Sequence, residues 1–515
     1  MLPEFVPTPF TDFSKSENRQ EMIAALDKVQ KQLGITIPLV IGGKEIVTDD
    51  KIVSLNCSKY DEVVANCSKG SKEQAEKAIA TADETFKLWS RVAPDDRARY
   101  LIKAAAIMKR RRRELAAWMI YEVGKNWLEA DADVAEAIDF LEFYGREMMR
   151  YGQPQPVIPY PGEENELYYI PLGVGAVIPP WNFPLAILCG MTSAAIVAGN
   201  TVILKPASTA PAIGYQFYLI MKEAGLPDGV LNFLPGPGSK IGDTIVDHPR
   251  TRFIAFTGSM EVGLRIHERA AKKSEGQIWI KRTVLEMGGK DFIAVDESAD
   301  LDAAAQGIVA AAFGFQGQKC SACSRAIVHE SVYDEVVAKV VEKAKPITIG
   351  EVKDQDNFMG GVVDEAAYNK ILEYIEIGKK EGELVLGGGK GPDGGYFIQP
   401  TIIKDVDEEA RIAQEEIFGP VLAFIKAKDF EHIIAIANGT EFGLTGALYS
   451  GNRGNLEVGR RELHAGNLYL NRKCTGALVG VQPFGGFNMS GTDSKAGGRD
   501  YLALFTQGKA VCEQF

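Results

Sequence analysis

Two spacings of apolar positions alternate along this 515-residue chain. From about 70 to 150 the apolar residues recur at helical spacing, with Leu101, Ala105, Met108 and Leu115 on one face, so this stretch reads mostly as helix. Its entry carries Ser71-Lys72-Glu73-Gln74, a capping-box pattern. From 172 onward the pattern changes. The runs 174–178, 201–204, 230–234 and 253–256 are short and rich in β-branched and aromatic residues, with helical stretches between them near 185–198, 211–225 and 240–247. Strand–helix alternation predicts a parallel sheet wrapped by helices, whose ligands bind beyond the carboxyl ends of the strands. A second alternating block runs from about 290 to 490, with a strand at 291–295 and helices at 301–317 and 331–345. Two α/β domains are therefore expected, with a site in the cleft between them. The stretch 151–170 fits neither pattern. Pro154, Pro156 and Pro159 demote it to an edge ribbon or arm, a candidate for packing against a partner subunit.

Composition narrows the class. A chain of this length is too long for one small core, so two or three domains are expected. Hydrophobic content of 46% with 24% charged residues is that of an ordinary globular protein. A net charge of -12 argues against a general nucleic-acid binder, which needs cations for phosphates. The basic run Lys109-Arg110-Arg111-Arg112-Arg113 reads as the solvated face of a helix. No apolar run is long enough to span a bilayer, and 1–20 has neither the apolar core of a leader nor a transit-peptide pattern, so a cytoplasmic protein is expected. Seven cysteines, an odd number, do not suggest a disulfide framework. Cys320-x-x-Cys323 lacks the second ligand pair of a zinc site, and no metal site is expected.

Three segments carry candidate chemistry. Cys320, in Gly317-Gln318-Lys319-Cys320-Ser321, offers a thiol nucleophile, and the adjoining Lys319 would favour its thiolate. Glu286, in Leu285-Glu286-Met287-Gly288-Gly289-Lys290, offers a general base, the more so if burial raises its pKa. Asn182, in Pro180-Trp181-Asn182-Phe183-Pro184, offers an amide to a developing oxyanion. Each has a plainer explanation: a buried cysteine, a surface carboxylate, a turn asparagine. Together they supply the parts of a covalent acyl-transfer site. Two loops suggest a phosphate-bearing ligand. Gly236-Pro237-Gly238-Ser239-Lys240-Ile241-Gly242 follows a strand and opens a helix, though its spacing is one residue longer than a dinucleotide fingerprint. Phe256-Thr257-Gly258-Ser259 ends a strand, and Ser259 can cap the next helix or donate to a phosphate.

These motifs, with Glu415-Glu416-Ile417-Phe418-Gly419-Pro420, resemble in order those of the NAD(P)-dependent aldehyde dehydrogenase superfamily from roughly 35 to 510. The resemblance implies an α/β fold: a Rossmann-like cofactor domain (1–150 and 171–286), an α/β catalytic domain (287–490), and a small β oligomerisation arm with a C-terminal tail (151–170 and 491–515). It implies that the Cys320 thiolate attacks an aldehyde, that Asn182 and the Cys320 N–H hold the oxyanion, and that Glu286 activates water against the thioester. It puts Lys205 and Glu416 on ribose hydroxyls, Ser259 and Trp181 near a pyrophosphate, and Phe418 by the nicotinamide ribose. Ile178, Pro179, Pro180, Gly238, Gly242, Phe256, Thr257 and Met287 are the other cofactor contacts expected. Ser208 stands where many NAD-strict members carry Glu, so NAD is expected with NADP tolerated.

The segment 466–495, with Gly476-Ala477 and Gln482-Pro483-Phe484-Gly485-Gly486, resembles that of the 1-pyrroline-5-carboxylate dehydrogenases. This implies oxidation of L-glutamate γ-semialdehyde to L-glutamate in proline, and by extension arginine, breakdown. Gly476, Ala477, Ser321 and Lys319 would meet the substrate carboxylate, and Phe183 and Phe484 its aliphatic chain. A homodimer or higher homo-oligomer is implied, and a separate proline dehydrogenase upstream, since no long extra N-terminal segment is present. The rivals are another semialdehyde dehydrogenase, a CoA-acylating enzyme and a non-catalytic scaffold; retention of Cys320 and Glu286 weighs against the last two.

Overall fold

The computed structural model describes residues 3–515; Met1 and Leu2, the start of the stretch read as lacking a leader, lie outside the described residues. Two seven-stranded sheets form its frame. The first runs, edge to edge, Arg282–Glu286, Thr251–Thr257, Val174–Ile178, Thr201–Leu204, Leu231–Phe233, Leu39–Ile41 and Lys44–Ile46. Its first five strands are parallel and the last two joints antiparallel. These strands are apolar on both faces because both faces are covered. Val177, Val202, Leu204, Phe253 and Ala255 pack against helix Ala186–Val197 and the helical layer. Val174, Ala176, Ile203, Ile254 and Phe256 point the other way, onto Ala75, Ile79 and Ile266.

The second sheet runs Glu383–Leu386, Thr401–Lys404, Val421–Ala427, Arg325–His329, Phe292–Val295, Thr445–Tyr449 and Asn467–Leu470. It is parallel except at Glu383–Leu386. Ile293, Val295 and Val328 face one core and Phe292, Ala294 and Ile327 the other. Glu286 closes the first sheet and Phe292 opens the second, so the short Gly288-Gly289 link joins the two units.

The stretch 70–150 forms four helices, Lys72–Trp89, Pro94–Arg110, Arg112–Val123 and Trp127–Tyr151. The first is capped as expected, Ser71 and Gln74 bonding reciprocally. Other boundaries differ from the sequence reading. The helix expected at 240–247 is present but opens with a π-helical turn, Gly238–Gly242, before the α-helical Asp243–Asp247. The helix expected at 301–317 stops at Phe313, where Gly314 and the left-handed Phe315 and Gln316 (φ 50 and 56) redirect the chain towards Cys320.

The basic run is solvated only at its start: Lys109 and Arg110 are exposed, while Arg111, Arg112 and Arg113 are half-buried. It straddles the break between two helices, and each of its five cations meets a carboxylate. Asp131, 1% exposed, accepts from Arg112 Nη2 at 2.6 Å, Arg113 Nη1 at 2.9 Å and the Thr11 backbone N–H at 2.8 Å. Removing one member of a buried charge cluster strands the rest. Asp131→Ala is therefore expected to cost about 3–5 kcal/mol, read as a lower guanidinium midpoint, with little change in the chemistry at Cys320.

The prolines of 151–170 lead into strand Glu163–Pro171, which pairs antiparallel along its whole length with Thr506–Gln514. This two-stranded ribbon joins neither large sheet. Among the described residues no helix is long and apolar enough to cross a membrane.

Candidate active site

Cys320 stands where two cavities meet. One, of about 100 Å³, is lined by Phe140, Phe183, Ile187, Phe484 and Tyr501, with Glu136, Glu286, Ser321, Gly476 and Ala477 among its polar groups and backbone. The other, of about 360 Å³, is lined by Pro179, Pro180, Trp181, Asn182, Phe256, Gly258, Ser259, Gly288, Glu416 and Phe418. Thr257, Met287 and Cys320 line both. The second volume falls in the range of small-molecule sites, and the first is a narrow pocket opening onto it.

Local structure explains the placement. Glu286 ends strand Arg282–Glu286, and Thr257 ends the neighbouring strand in register with it. Both therefore reach the carboxyl edge of the first sheet, where Pro179 to Asn182 also emerge after strand Val174–Ile178. Cys320 arrives from the second unit through the left-handed turn at Phe315 and Gln316. Gly289 is required here: a Cβ on it would stand 2.5 Å from the Cys320 carbonyl oxygen and 2.4 Å from Asp291 Oδ2. Any larger residue would push the nucleophile loop away.

Glu286 is 9% exposed. Its Oε1 accepts from Ser494 Oγ at 2.5 Å and its Oε2 from the Gly486 N–H at 3.3 Å. Burial pushes its pKa up to about 7, against the opposing pull of those donors. The Cys320 thiol is pushed well above its ordinary range, first by burial, then by the charges of Asp291, Glu416 and Glu286. Its own backbone N–H faces the sulfur and opposes the shift. The expectation that Lys319 favours the thiolate is overturned. The Lys319 ammonium points away, onto Glu129 Oε1 at 2.6 Å, and the charges bearing on Cys320 are carboxylates. For the same reason Lys319 is not among the residues lining the cavity beside Ser321.

In the larger cavity, Glu416 is half-buried and accepts from the Gly289 N–H at 3.0 Å. Trp181 meets Phe418 edge-on at 5.4 Å, with Phe418 in the left-handed region (φ 61). Ser259 caps helix Met260–Ala271 through its hydroxyl. Lys205, after strand Thr201–Leu204, is buried, and its amine has one long contact, 3.4 Å to the Pro206 carbonyl. Burial lowers its pKa to about 8. A buried ammonium this poorly satisfied suits a polar ligand group arriving beside it. Ile178, Lys205 and Ser208 lie near the same sheet edge but do not line the cavity. Gly238 and Gly242 do not either, and a Cβ on each would meet nothing within 4 Å. The glycine loop forms a π-helical turn with open space beside both glycines.

Sequence reasoning missed Glu136, Tyr501, Lys370 and Ser494. Glu136 had a signal. Glu129, Asp133 and Glu136 repeat at helical spacing in the largely apolar helix Trp127–Tyr151, and acids on a buried face need a purpose. Ser494 and Tyr501 are distant in sequence and carry none.

Comparison with known proteins agrees with this geometry. The model of the aldehyde dehydrogenase family matches residues 47–511. A 1-pyrroline-5-carboxylate dehydrogenase of Geobacillus thermodenitrificans (strain NG80-2) is 59% identical, each chain covered in full. A solved 1-pyrroline-5-carboxylate dehydrogenase from Thermus with bound NAD superposes with a TM-score of 0.99 at 52% identity, both chains again covered in full. Proline utilization A from Bdellovibrio bacteriovorus gives a TM-score of 0.98 at 45% identity, covering 99% of this chain and 53% of that one.

Proposed function

The chain belongs to the aldehyde dehydrogenase family, and on that premise we propose that it oxidises L-glutamate γ-semialdehyde, the open form of 1-pyrroline-5-carboxylate, to L-glutamate with NAD. One observation carries the reading. The apolar cavity ends at Cys320 and holds a buried base, Glu286, a second carboxylate, Glu136, and the Ser321 hydroxyl beside the Gly476-Ala477 backbone. An amino-acid aldehyde presents the matching groups: a carbonyl for the thiol, an ammonium for Glu136, and a carboxylate for Ser321 and the backbone donors. Gly476 is left-handed (φ 81), which lets the backbone turn towards such a carboxylate.

The Cys320 sulfur attacks the aldehyde carbon as its thiolate, the thiol proton passing to solvent, so Glu286 stays ionised for the later step. The Asn182 amide and the Cys320 N–H receive the developing oxyanion. When bound, NAD supplies the acceptor for the hydride that leaves this carbon. The thioester on Cys320 is then hydrolysed by a water that Glu286 deprotonates. A buried carboxylate suited to activating water favours hydrolysis over transfer to CoA. The larger cavity would take the cofactor, with Glu416 for ribose hydroxyls, Trp181 and Ser259 towards the pyrophosphate, and Phe418 by the nicotinamide ribose; Lys205, at the same sheet edge but outside the lining, would serve the other ribose. Ser208 brings no carboxylate to repel a 2′-phosphate, so NADP is also accepted.

On this reading the segments 1–150 and 171–286 form the cofactor domain, 287–490 the catalytic domain, and 151–170 with 491–515 the arm. The ribbon's separation from both sheets and the exposure of Ile158, Tyr160 and Phe515 support packing against a second copy. A proline-oxidising enzyme supplies the substrate.

A substrate panel on the purified protein tests this. NADH formation should favour 1-pyrroline-5-carboxylate over succinic and simple aliphatic aldehydes; the reverse order would remove the substrate and leave the mechanism. Glu136→Gln should raise KM for the amino-acid aldehyde about tenfold, the cost of one charge-assisted hydrogen bond, and leave KM for propionaldehyde unchanged.

A further inference from the structure

Lys125 is a fully buried cation that the mechanism leaves unused. It follows Gly124, which ends helix Arg112–Val123 in the left-handed region. A Cβ on Gly124 would stand 2.6 Å from Cys57 Sγ, so the turn that delivers Lys125 tolerates little change. Its ammonium pairs with Asp133 Oδ2 at 2.8 Å, both side chains 0% exposed. It also lies 4.0 Å from the ring centroid of Phe183 and 4.7 Å from that of Phe315. Those rings belong to different segments. Phe183 follows Asn182, the oxyanion residue; Phe315 begins the left-handed turn that leads to Cys320.

Two further bonds tie the same segments to the same cluster. Asp133 Oδ1 accepts from the Ala186 N–H at 2.7 Å, three residues beyond Phe183. Gln316 Nε2 donates to the Gly124 carbonyl at 3.0 Å. The neighbouring acids are otherwise engaged: Glu129 by Lys319, while Glu136 lines the cavity. A single ammonium thus grips two aromatic rings, and in a dry site the cation–π attraction is at its strongest.

We propose that Lys125, held by Asp133, is a positioning residue that fixes the oxyanion segment against the nucleophile loop through Phe183 and Phe315. This rests on the aldehyde reading above. It predicts that loss of the ammonium lets the two segments drift while the cofactor cavity, which Lys125 does not line, stays intact. Small misplacements of reacting groups carry large rate penalties.

The test compares Lys125→Met with Lys125→Arg in the full-length protein, using 1-pyrroline-5-carboxylate and propionaldehyde. Lys125→Met should keep its NAD Kd within twofold and lose at least about tenfold in kcat with both aldehydes, the loss expected for one desolvated cation–π contact. Lys125→Arg, which retains the charge and can stack on both rings, should recover most of that loss. Because Lys125→Met leaves Asp133 buried and unpaired, the double variant Lys125→Met/Asp133→Asn is measured alongside it and should show the same split. A folded variant with unchanged kcat, or a parallel loss of NAD affinity, would overturn the proposal. Failure of both variants to fold would also overturn it, in favour of a purely architectural ion pair. A wild type that oxidises propionaldehyde but not 1-pyrroline-5-carboxylate would refute the substrate reading alone, since the kcat comparison then stands on propionaldehyde.

Discussion

Cys320→Ala is expected to abolish aldehyde oxidation, with a fall of at least about 10⁴-fold, while the protein remains folded and binds NAD. The sulfur stands at the junction of the two cavities, so it is placed to meet both an aldehyde carbon and the cofactor. Neither cavity is lined by another cysteine to replace it. Five of the others are buried elsewhere, and Cys512 is exposed on the arm. Alanine removes one atom from an open junction, so the fold has little to lose; a thermal midpoint within a few degrees of wild type checks that. Stopped-flow absorbance should show neither steady-state NADH nor a first-turnover burst, because the step lost comes before hydride departure.

Glu286→Gln is the second large effect, and it should fall at a different step. Its amide fills the same space and can still accept a hydrogen bond from Ser494, but it cannot take a proton. Steady-state turnover should fall about 10²–10⁴-fold, the usual contribution of a positioned base. The pH dependence carries the sign. A base with its pKa raised to about 7 is protonated and inactive below that value and ionised above it. Wild-type kcat should therefore rise with pH through about 7 and level off, and the Gln variant should lose that rise. A wild-type profile flat from pH 6 to 8 would mean that deprotonation of Glu286 does not limit turnover.

Much of this was legible in the sequence, for reasons that differ by element. The strands at 174–178 and 201–204 were visible because parallel strands covered on both faces are continuously apolar. Cys320, Glu286 and Asn182 were visible because each lies in a short, distinctive run. What failed depended on contacts across the chain. Lys319 reads as a cation beside a thiol, but side-chain direction sends it to Glu129, 190 positions away. The basic run reads as solvated throughout because the acids that pair with it, such as Asp131 and Glu142, lie on a later helix. Glu136 needed only a helical projection to be noticed; Lys125 needed Phe183 and Phe315 in three dimensions.

The central claim is that the carbonyl carbon becomes bonded to Cys320 and is released by Glu286. The most direct measurement is the intact mass of Glu286→Gln, acid-quenched after mixing with 1-pyrroline-5-carboxylate and NAD, followed by peptide mapping. The account predicts a glutamyl adduct on the peptide that carries Cys320, formed with about one NADH per active site and persisting because its hydrolysis is slow. An unmodified Cys320 peptide after that NADH burst, or an adduct on another residue, would contradict it.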